Sequence, residues 1–397
     1  MITIKDKSQC CGCWGCENIC PKHCISMKED NEGFRYPEVN TKICIECGLC
    51  EKICPIQNTP HNNNEITDSY VIQHKNNKIR RDSTSGGFFS AICDYVIAQN
   101  GYVFGAVYNE KMEVVHYGTN QKEEIKRFRG SKYVQSQIGN TYQEAKSLLL
   151  KGYLVCFSGT PCQIAGLKNF LRKEYTNLIT VDLVCRGNPS PLLLNKYLAY
   201  QEKCHNSKIT KVKFRDKYYG YDFSTMTLEF QNNKIHYHYG MEGDAMLKFF
   251  FLDLCSKPAC HQCKFKTIER VSDFTIFDCW NAKSFAKKMD KKGATHVFIH
   301  SSKGNEVFEH LKSYFHYQKT DIQQAVRQDG CMILSSTTPS KNREQFFYDL
   351  NNLPFDKVQK KYFPLTLKRK FIIKLKPLLY YIGIFNLYMK LKNKKHA

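Results

Sequence analysis

Apolar positions change period repeatedly along the chain. Ser83-Thr84-Ser85-Gly86-Gly87 precedes a helical run from Phe88 to Gln99 that stops at Asn100-Gly101, as a glycine cap would stop it. Tyr102 to Tyr108 reads as a strand, and Thr141 to Lys151 as a helix. Tyr153 to Phe157 is a continuous apolar run of the buried-strand type, and the sequence Ser158-Gly159-Thr160-Pro161-Cys162-Gln163 then opens a helix to about Lys173. A second such run, Leu178 to Val184, ends at Cys185-Arg186-Gly187. Strand, helix, strand implies a parallel pair joined by a right-handed crossover. Lys211 to Lys217 and Met226 to Gln231 alternate like paired strands, and Val297 to Ser301 adds one more. The pattern predicts a chain of the α+β or α/β class.

The first 57 residues break this pattern. Cys10-x2-Cys13-x2-Cys16-x3-Cys20-Pro21 is repeated as Cys44-x2-Cys47-x2-Cys50-x3-Cys54-Pro55. Three cysteines at this spacing wrap one face of an iron–sulfur cube, and the fourth lies too far along to join them. In two-cluster ferredoxins that fourth cysteine ligates the other cluster. The expected sets are Cys10, Cys13, Cys16 and Cys54 for one 4Fe–4S cluster, and Cys44, Cys47, Cys50 and Cys20 for the other. Zinc knuckles use paired spacings and explain neither the third cysteine nor the trailing Cys-Pro. Cys11 and Cys24 fall outside the phrase and read as bystanders. Between the phrases, residues 24–27 and 34–37 read as short strands around a turn at Asn31-Glu32-Gly33. Residues 58–68 have no apolar period and read as a linker.

Twenty cysteines among 397 residues, with no apolar leader at the N-terminus, point to metal-bound thiolates in a reducing cytoplasm. No run of 18 apolar residues suggests a spanning helix. The formal charge of +22 counts every cysteine as neutral. Each oxidised cube with four thiolates carries roughly −2, which trims the excess without removing it. Such a surface suits a small acidic electron carrier such as ferredoxin, or an anionic membrane. It also fits mere lysine-rich codon usage. Neither a helix-turn-helix nor an RNA-binding signature is present, so nucleic acid is not an expected partner. The end of the chain is distinct: Lys368-Arg369-Lys370 leads into an apolar, aromatic run over 371–389, followed by four lysines within 390–395. It reads as an amphipathic end for peripheral membrane contact, or as a terminal helix packed on the domain or on a partner.

Two further groups carry chemistry. Small residues before a helix leave backbone N–H groups to meet an anion, so Ser83–Gly87 is a candidate phosphate cradle as well as an ordinary serine cap. Cys162 and Cys185 each follow one of the parallel strands, at the carboxyl edge where open α/β sheets bind ligands. Cys260-x2-Cys263 supplies two more thiolates at cluster spacing, with Cys255 as a rival for one position.

The string Gly130-Ser131-Lys132-Tyr133-Val134-Gln135-Ser136 lies between these groups, and Ser272-Asp273 to Asp278 follows them. In this order, with Ser83–Gly87, Gly159-Thr160-Pro161-Cys162-Gln163 and Cys260-x2-Cys263, they resemble the family of coenzyme F420 hydrogenase/dehydrogenase β-subunits with a ferredoxin module in front. The resemblance covers roughly residues 1–340 and leaves out the basic end. It implies an iron–sulfur flavoprotein oxidoreductase that passes electrons between clusters, FAD and a two-electron substrate. It also implies a third 4Fe–4S cluster on Cys162, Cys185, Cys260 and Cys263. The FAD diphosphate is expected at Ser83, Ser85, Gly86, Gly87, Arg129, Lys132 and Tyr133. The substrate is an unidentified organic molecule, polysaccharide metabolism being one setting, or alternatively the deazaflavin coenzyme itself. A non-catalytic electron-transfer subunit of a larger complex is the further alternative. Relatives usually read Gly-Asp-Phe-Trp-Gly where this chain has Phe277-Asp278-Cys279-Trp280-Asn281, and Arg186 stands where they commonly carry histidine. The expected domains are a ferredoxin domain (1–57), a linker (58–68), an N-terminal β-subunit region (69–150), a flavin and iron–sulfur region (151–340) and a basic extension (341–397).

Overall fold

A computed structural model describes residues 1–60 and 68–385. Most of the expected linker and the end of the basic extension, residues 386–397, lie outside the described residues. Among the described residues, thirteen strands follow in chain order: β1 (Ile25–Glu29), β2 (Arg35–Val39), β3 (Asp68–His74), β4 (Tyr102–Tyr108), β5 (Val114–Thr119), β6 (Val155–Gly159), β7 (Leu178–Leu183), β8 (Ile209–Asp216), β9 (Thr225–Phe230), β10 (Tyr237–Tyr239), β11 (Phe274–Asp278), β12 (Thr295–Ile299) and β13 (Phe315–Lys319). Asp68, the last residue expected in the linker, already opens β3.

The chain divides into two compact units that cut across its linear order. One takes 1–192 and 256–339, the other 193–255 and 340–397. The first unit holds the β1–β2 hairpin and an eight-stranded sheet of order β13-β3-β12-β11-β7-β6-β4-β5. Strands β4, β6, β7 and β11 run parallel at its centre. Antiparallel strands flank them: β5 on one side, and β12, β3 and β13 on the other. A parallel sheet buried on both faces needs near-continuous apolar strands. Accordingly, Val155, Cys156 and Phe157 of β6 are wholly buried.

Alternation along β6 feeds two cores. Val155 and Phe157 join Tyr142, Ile164, Phe170 and the buried cysteines of the N-terminal module on one face. Cys156 joins Phe88, Ile92, Val103, Phe274 and Phe308 on the other. Each wholly buried phenylalanine contributes about 2–3 kcal/mol by removal from water. The helix Pro161–Leu171 connects β6 to the neighbouring parallel β7. Proline at its first turn and a capping box between Thr160 and Gln163 fix where it begins. The N-terminal module is held on this face by side chains: Gln135 Nε2 donates to the Cys11 carbonyl at 2.8 Å, and Gln143 Nε2 to that of Asn18 at 2.7 Å.

The second unit contains the three-stranded sheet β10-β9-β8 and the helix Ala245–Phe251, capped by Asp244. The helix Leu367–Tyr381 packs within it. Lys376 pairs with Glu242 at 2.9 Å, and Leu379 and Phe385 bury against Tyr219. Phe371, Leu378 and Tyr381 of this helix remain exposed. Among the described residues, no helix is long and apolar enough to cross a membrane.

Candidate iron–sulfur centres

The first cysteine phrase and the distant Cys54 converge. Burial pushes Cys10 up to about 11, and the neighbouring Cys13 and Cys54 add to it. Cys16 is raised well above the usual thiol range, again by burial first and then by Cys13, Cys10 and Cys54. Burial also raises Cys54, with Cys13 contributing. All four thiols therefore act on one another, and Cys13, Cys16 and Cys54 are buried. The expected crossover ligand is in place beside its three partners.

The second phrase lies in a different setting. Cys44, Cys47 and Cys50 line one cavity together with Cys20 from the first phrase, and Met1, Ile25 and Val39 share its wall. Cys50 Sγ accepts from the Ile2 N–H at 3.3 Å. Cys24, outside the spacing rule, sits in this cavity too, its Sγ 3.3 Å from that of Cys20. Its hydrogen bond with Cys20, then burial, raises Cys24 to about 12.

A third tetrad forms at the sheet edge. Cys162 is the second residue of the helix after β6, and Cys185 follows β7 by two residues. Both emerge at the carboxyl ends of parallel neighbours, as strand-helix-strand requires. The short 3-10 turn Pro258–Gln262 presents Cys260 and, at its end, Cys263. Burial first, then Cys260, Cys162 and Cys263, raises Cys185 far above the usual thiol range. Burial lifts Cys260 to about 12, although its sulfur accepts from the Asn188 N–H at 3.3 Å and Cys162 and Cys263 push it further up. Burial and then Cys162 raise Cys263. Cys162 goes the other way, to about 7, because Cys11 hydrogen-bonds its sulfur and Thr160 adds a contact at 3.2 Å. The rival Cys255 is buried in the second unit.

Four mutually repelling thiolates in a buried pocket are unstable without a compensating charge. An iron–sulfur core supplies that charge, and four cysteine thiolates are the ligand set a 4Fe–4S cube commonly takes. The donor sets at the first and third positions fit such a core in type and number, as does the set lining the second cavity.

Three residues that spacing rules pass over join the centres. Cys11 hydrogen-bonds both Cys13 and Cys162, so it lies between the first and third tetrads. Gly166, one helical turn beyond Cys162, is where the helix backbone meets Cys13: an added Cβ would stand 2.8 Å from Cys13 Cβ. Lys257 is wholly buried, donates to the Arg35 carbonyl at 3.2 Å and lies 3.8 Å from the Tyr36 ring centre. Burial lowers its pKa, while Cys10 and Cys260 hold it up. A lysine three positions before the cysteine pair was the available signal for it in the sequence.

The residues expected around FAD are also neighbours, but their polar groups are engaged by surrounding protein groups. The Gly86 N–H donates to Thr295 Oγ1 at 2.7 Å, and a Cβ on Gly86 would stand 2.5 Å from the Ile72 carbonyl oxygen. Ser83 Oγ donates to the Ile79 carbonyl at 2.7 Å, Ser85 Oγ donates to the Asp278 carboxylate, and Gly87 takes the left-handed conformation (φ 91°) before the helix Phe88–Ala98. Thr84 Oγ1 accepts from the Ser131 N–H at 2.8 Å, which joins the loop to the Arg129–Tyr133 string. Arg129 Nε donates to Ser90 Oγ at 3.1 Å. Lys132 Nζ faces the carbonyls of Phe128, Arg129 and Gly130 at 3.2–3.4 Å, and burial brings it down to about 7. The loop and the string converge through Thr84 and Ser131, and the Asp278 carboxylate is held by Ser85.

Comparison with known proteins agrees with the cysteine geometry. Residues 9–58 match the 4Fe–4S dicluster domain, and residues 153–324 match the C terminus of the beta subunit of coenzyme F420 hydrogenase/dehydrogenase. The chain is 24% identical over 202 residues to the coenzyme F420-dependent sulfite reductase of Methanocaldococcus jannaschii, covering 49% of this chain and 30% of that one. It is 24% identical over 218 residues to a subunit of the F(420)H(2) dehydrogenase of Methanosarcina mazei, covering 52% of this chain and 61% of that subunit. Ferredoxin YfhL of Escherichia coli is 32% identical over 84 residues, 18% of this chain and 92% of the ferredoxin. The chain thus spans less than two thirds of either F420-linked relative. The two matched regions agree with the ordered motifs and the assembled thiols: residues 153–324 belong to the family of the C terminus of the coenzyme F420 hydrogenase/dehydrogenase beta subunit, and residues 9–58 form a 4Fe–4S dicluster domain ahead of it.

Proposed function

We propose that this chain is an iron–sulfur electron-transfer subunit of an F420-linked oxidoreductase. The observation that carries the proposal is the third tetrad: Cys162, Cys185, Cys260 and Cys263 come from three separate segments and act on one another at the carboxyl edge of the parallel sheet. In this reading they hold one 4Fe–4S cluster, Cys10, Cys13, Cys16 and Cys54 a second, and Cys20, Cys44, Cys47 and Cys50 a third. Such clusters supply one-electron transfer and a deazaflavin supplies a two-electron hydride, and the FAD that the resemblance implies would, when bound, split that hydride into single electrons. Lys257 contributes a buried positive charge between two of the tetrads, and Gly166 allows the helix carrying Cys162 to approach Cys13.

The names of the two F420-linked relatives favour a deazaflavin as the two-electron partner. FAD and a polysaccharide substrate rest on the resemblance alone. A small acidic carrier such as ferredoxin is the proposed one-electron partner, suited to the basic charge of the chain. Further subunits are proposed because one relative is itself named as a subunit.

The test is an anaerobic titration of the purified chain with reduced coenzyme F420. Bleaching of cluster absorbance together with return of the oxidised coenzyme's band is the expected result. Unchanged cluster absorbance, in a preparation that dithionite does reduce, would reject F420 as the two-electron partner.

A further inference from the structure

A second kind of metal-binding chemistry lies away from the cysteine tetrads. Strands β11 and β12 are antiparallel, with Phe277 opposite His296. The Cys279 N–H continues the ladder by donating to the Ala294 carbonyl at 3.0 Å. Side chains two apart on a strand share a face, so Cys279 and His296 are diagonal neighbours on one side of the sheet. The helix Ile322–Asp329 lies over that side, and its last residue brings a carboxylate to the pair. One ligand atom from each of Cys279, His296 and Asp329 lies within 4.8 Å of the other two.

The surroundings make this trio costly as plain hydrogen bonding. Cys279 and His296 are wholly buried, and the Asp329 side chain is 3% exposed. Among the described residues, the ion partner of Asp329 is His296, at 2.9 Å. Cys279 also hydrogen-bonds the Asp329 carboxylate, so thiol, imidazole and carboxylate meet at one point. Phe277 stacks on the ring at 4.6 Å and Phe285 meets it edge-on at 4.9 Å, so the setting is apolar. The other ring nitrogen, Nδ1, is buried with no hydrogen-bond partner. A buried carboxylate is stabilised by a nearby positive charge. One divalent cation would supply that charge, and a neutral imidazole is the form that binds metal.

We propose that Cys279, His296 and Asp329 form a mononuclear site for a divalent ion of borderline softness, zinc foremost. A thiolate, an imidazole and a carboxylate are the three donor types zinc takes together, with water in the fourth position. The site is distinct from the cluster tetrads and does not depend on the F420 reading.

The test uses the full chain, purified anaerobically with its iron, given one equivalent of Zn2+ and desalted. Elemental analysis should show about one zinc per chain beside the iron. His296→Gln and Cys279→Ser should each retain less than about a tenth of that zinc with iron unchanged. X-ray absorption at the zinc edge of the unmutated protein should show one sulfur at about 2.3 Å and nitrogen or oxygen ligands at about 2.0–2.2 Å. That spectrum decides the matter even where a variant folds poorly. No zinc retained by the unmutated chain would overturn the proposal. So would zinc surrounded by three or four sulfurs, since it would then occupy a cluster tetrad.

Discussion

The two cysteine phrases share one spacing and occupy opposite environments. Around the first, Cys13 and Cys16 are buried against the helix that carries Cys162, with Gly166 and Cys11 at the contact. Around the second, Cys47 is exposed, Cys44 is half-buried, and Ile43 and Ile45 are 49% and 56% exposed. Spacing therefore sets what each phrase can bind, while the surrounding fold sets its solvation. Cluster potentials follow solvent exposure, net charge and hydrogen bonds to sulfur. The outer tetrad suits exchange with an external carrier, and the inner one suits passage toward the third.

The sharpest break in this comparison is an exchange of crossover ligands. Cys54→Ser, although it lies in the second phrase, should cost the inner cluster: about 4 of about 12 irons, with the outer cluster's signal kept. Cys20→Ser should do the reverse. Anaerobic iron analysis with electron paramagnetic resonance reads both. Loss of the outer signal in Cys54→Ser would mean that each phrase holds its own cluster.

Next in size is the helix contact. Gly166→Val places a branched side chain where an added Cβ would already stand 2.8 Å from Cys13 Cβ. Overpacking of this kind costs about 1–3 kcal/mol. The thermal midpoint should fall, and the inner cluster should be lost on heating before the outer one. An unchanged midpoint would show that the helix does not bear on Cys13.

A smaller effect separates the inner centres from the outer by charge. Lys257 acts on Cys10 and Cys260, which belong to the inner and third tetrads. Lys257→Met should lower the potentials of the inner and third clusters on the order of tens of millivolts, leaving the outer one in place. Potentiometric titration followed by electron paramagnetic resonance resolves the three. Equal shifts in all three would contradict the placement.

Acid should act through the sheet. Burial brings His116 and His74 to about 4 and His300 to about 3. Unfolded histidines titrate near 6.5, so between that pH and 4 the unfolded chain takes up protons that the folded chain refuses. Stability is full above about pH 6.5 and is lost as pH falls toward 4. The loss is on the order of 2 kcal/mol for each of these buried histidines by pH 4.5. Circular dichroism melts across that range check it, and His116→Gln should flatten the slope.

The double cysteine phrase was readable because cluster geometry dictates its spacing, and the parallel pair β6 and β7 because both lie in short, mostly apolar runs separated by a helix-length segment. From that pair followed the shared edge of Cys162 and Cys185. The pairing of 193–255 with 340–397 in one unit had no local signal, since no period or turn residue encodes contact between distant segments. Cys11 and Cys24 were hidden for a related reason. Spacing within one segment cannot show which foreign thiol a side chain meets, and Cys11 meets Cys162 across 151 positions of sequence. Likewise Cys279, His296 and Asp329 come from two strands and a helix, and only the register of β11 on β12 aligns them.

The central claim is that three thiol tetrads, one outer and two inner, each hold a cubic cluster. An anaerobic count of iron and acid-labile sulfide on the purified full chain tests it most directly. About 12 irons and about 12 sulfides per chain are expected, three cubes of four each. About 8 of each, unchanged by Cys162→Ser, would contradict it, because the sheet-edge cysteines would then hold no cluster.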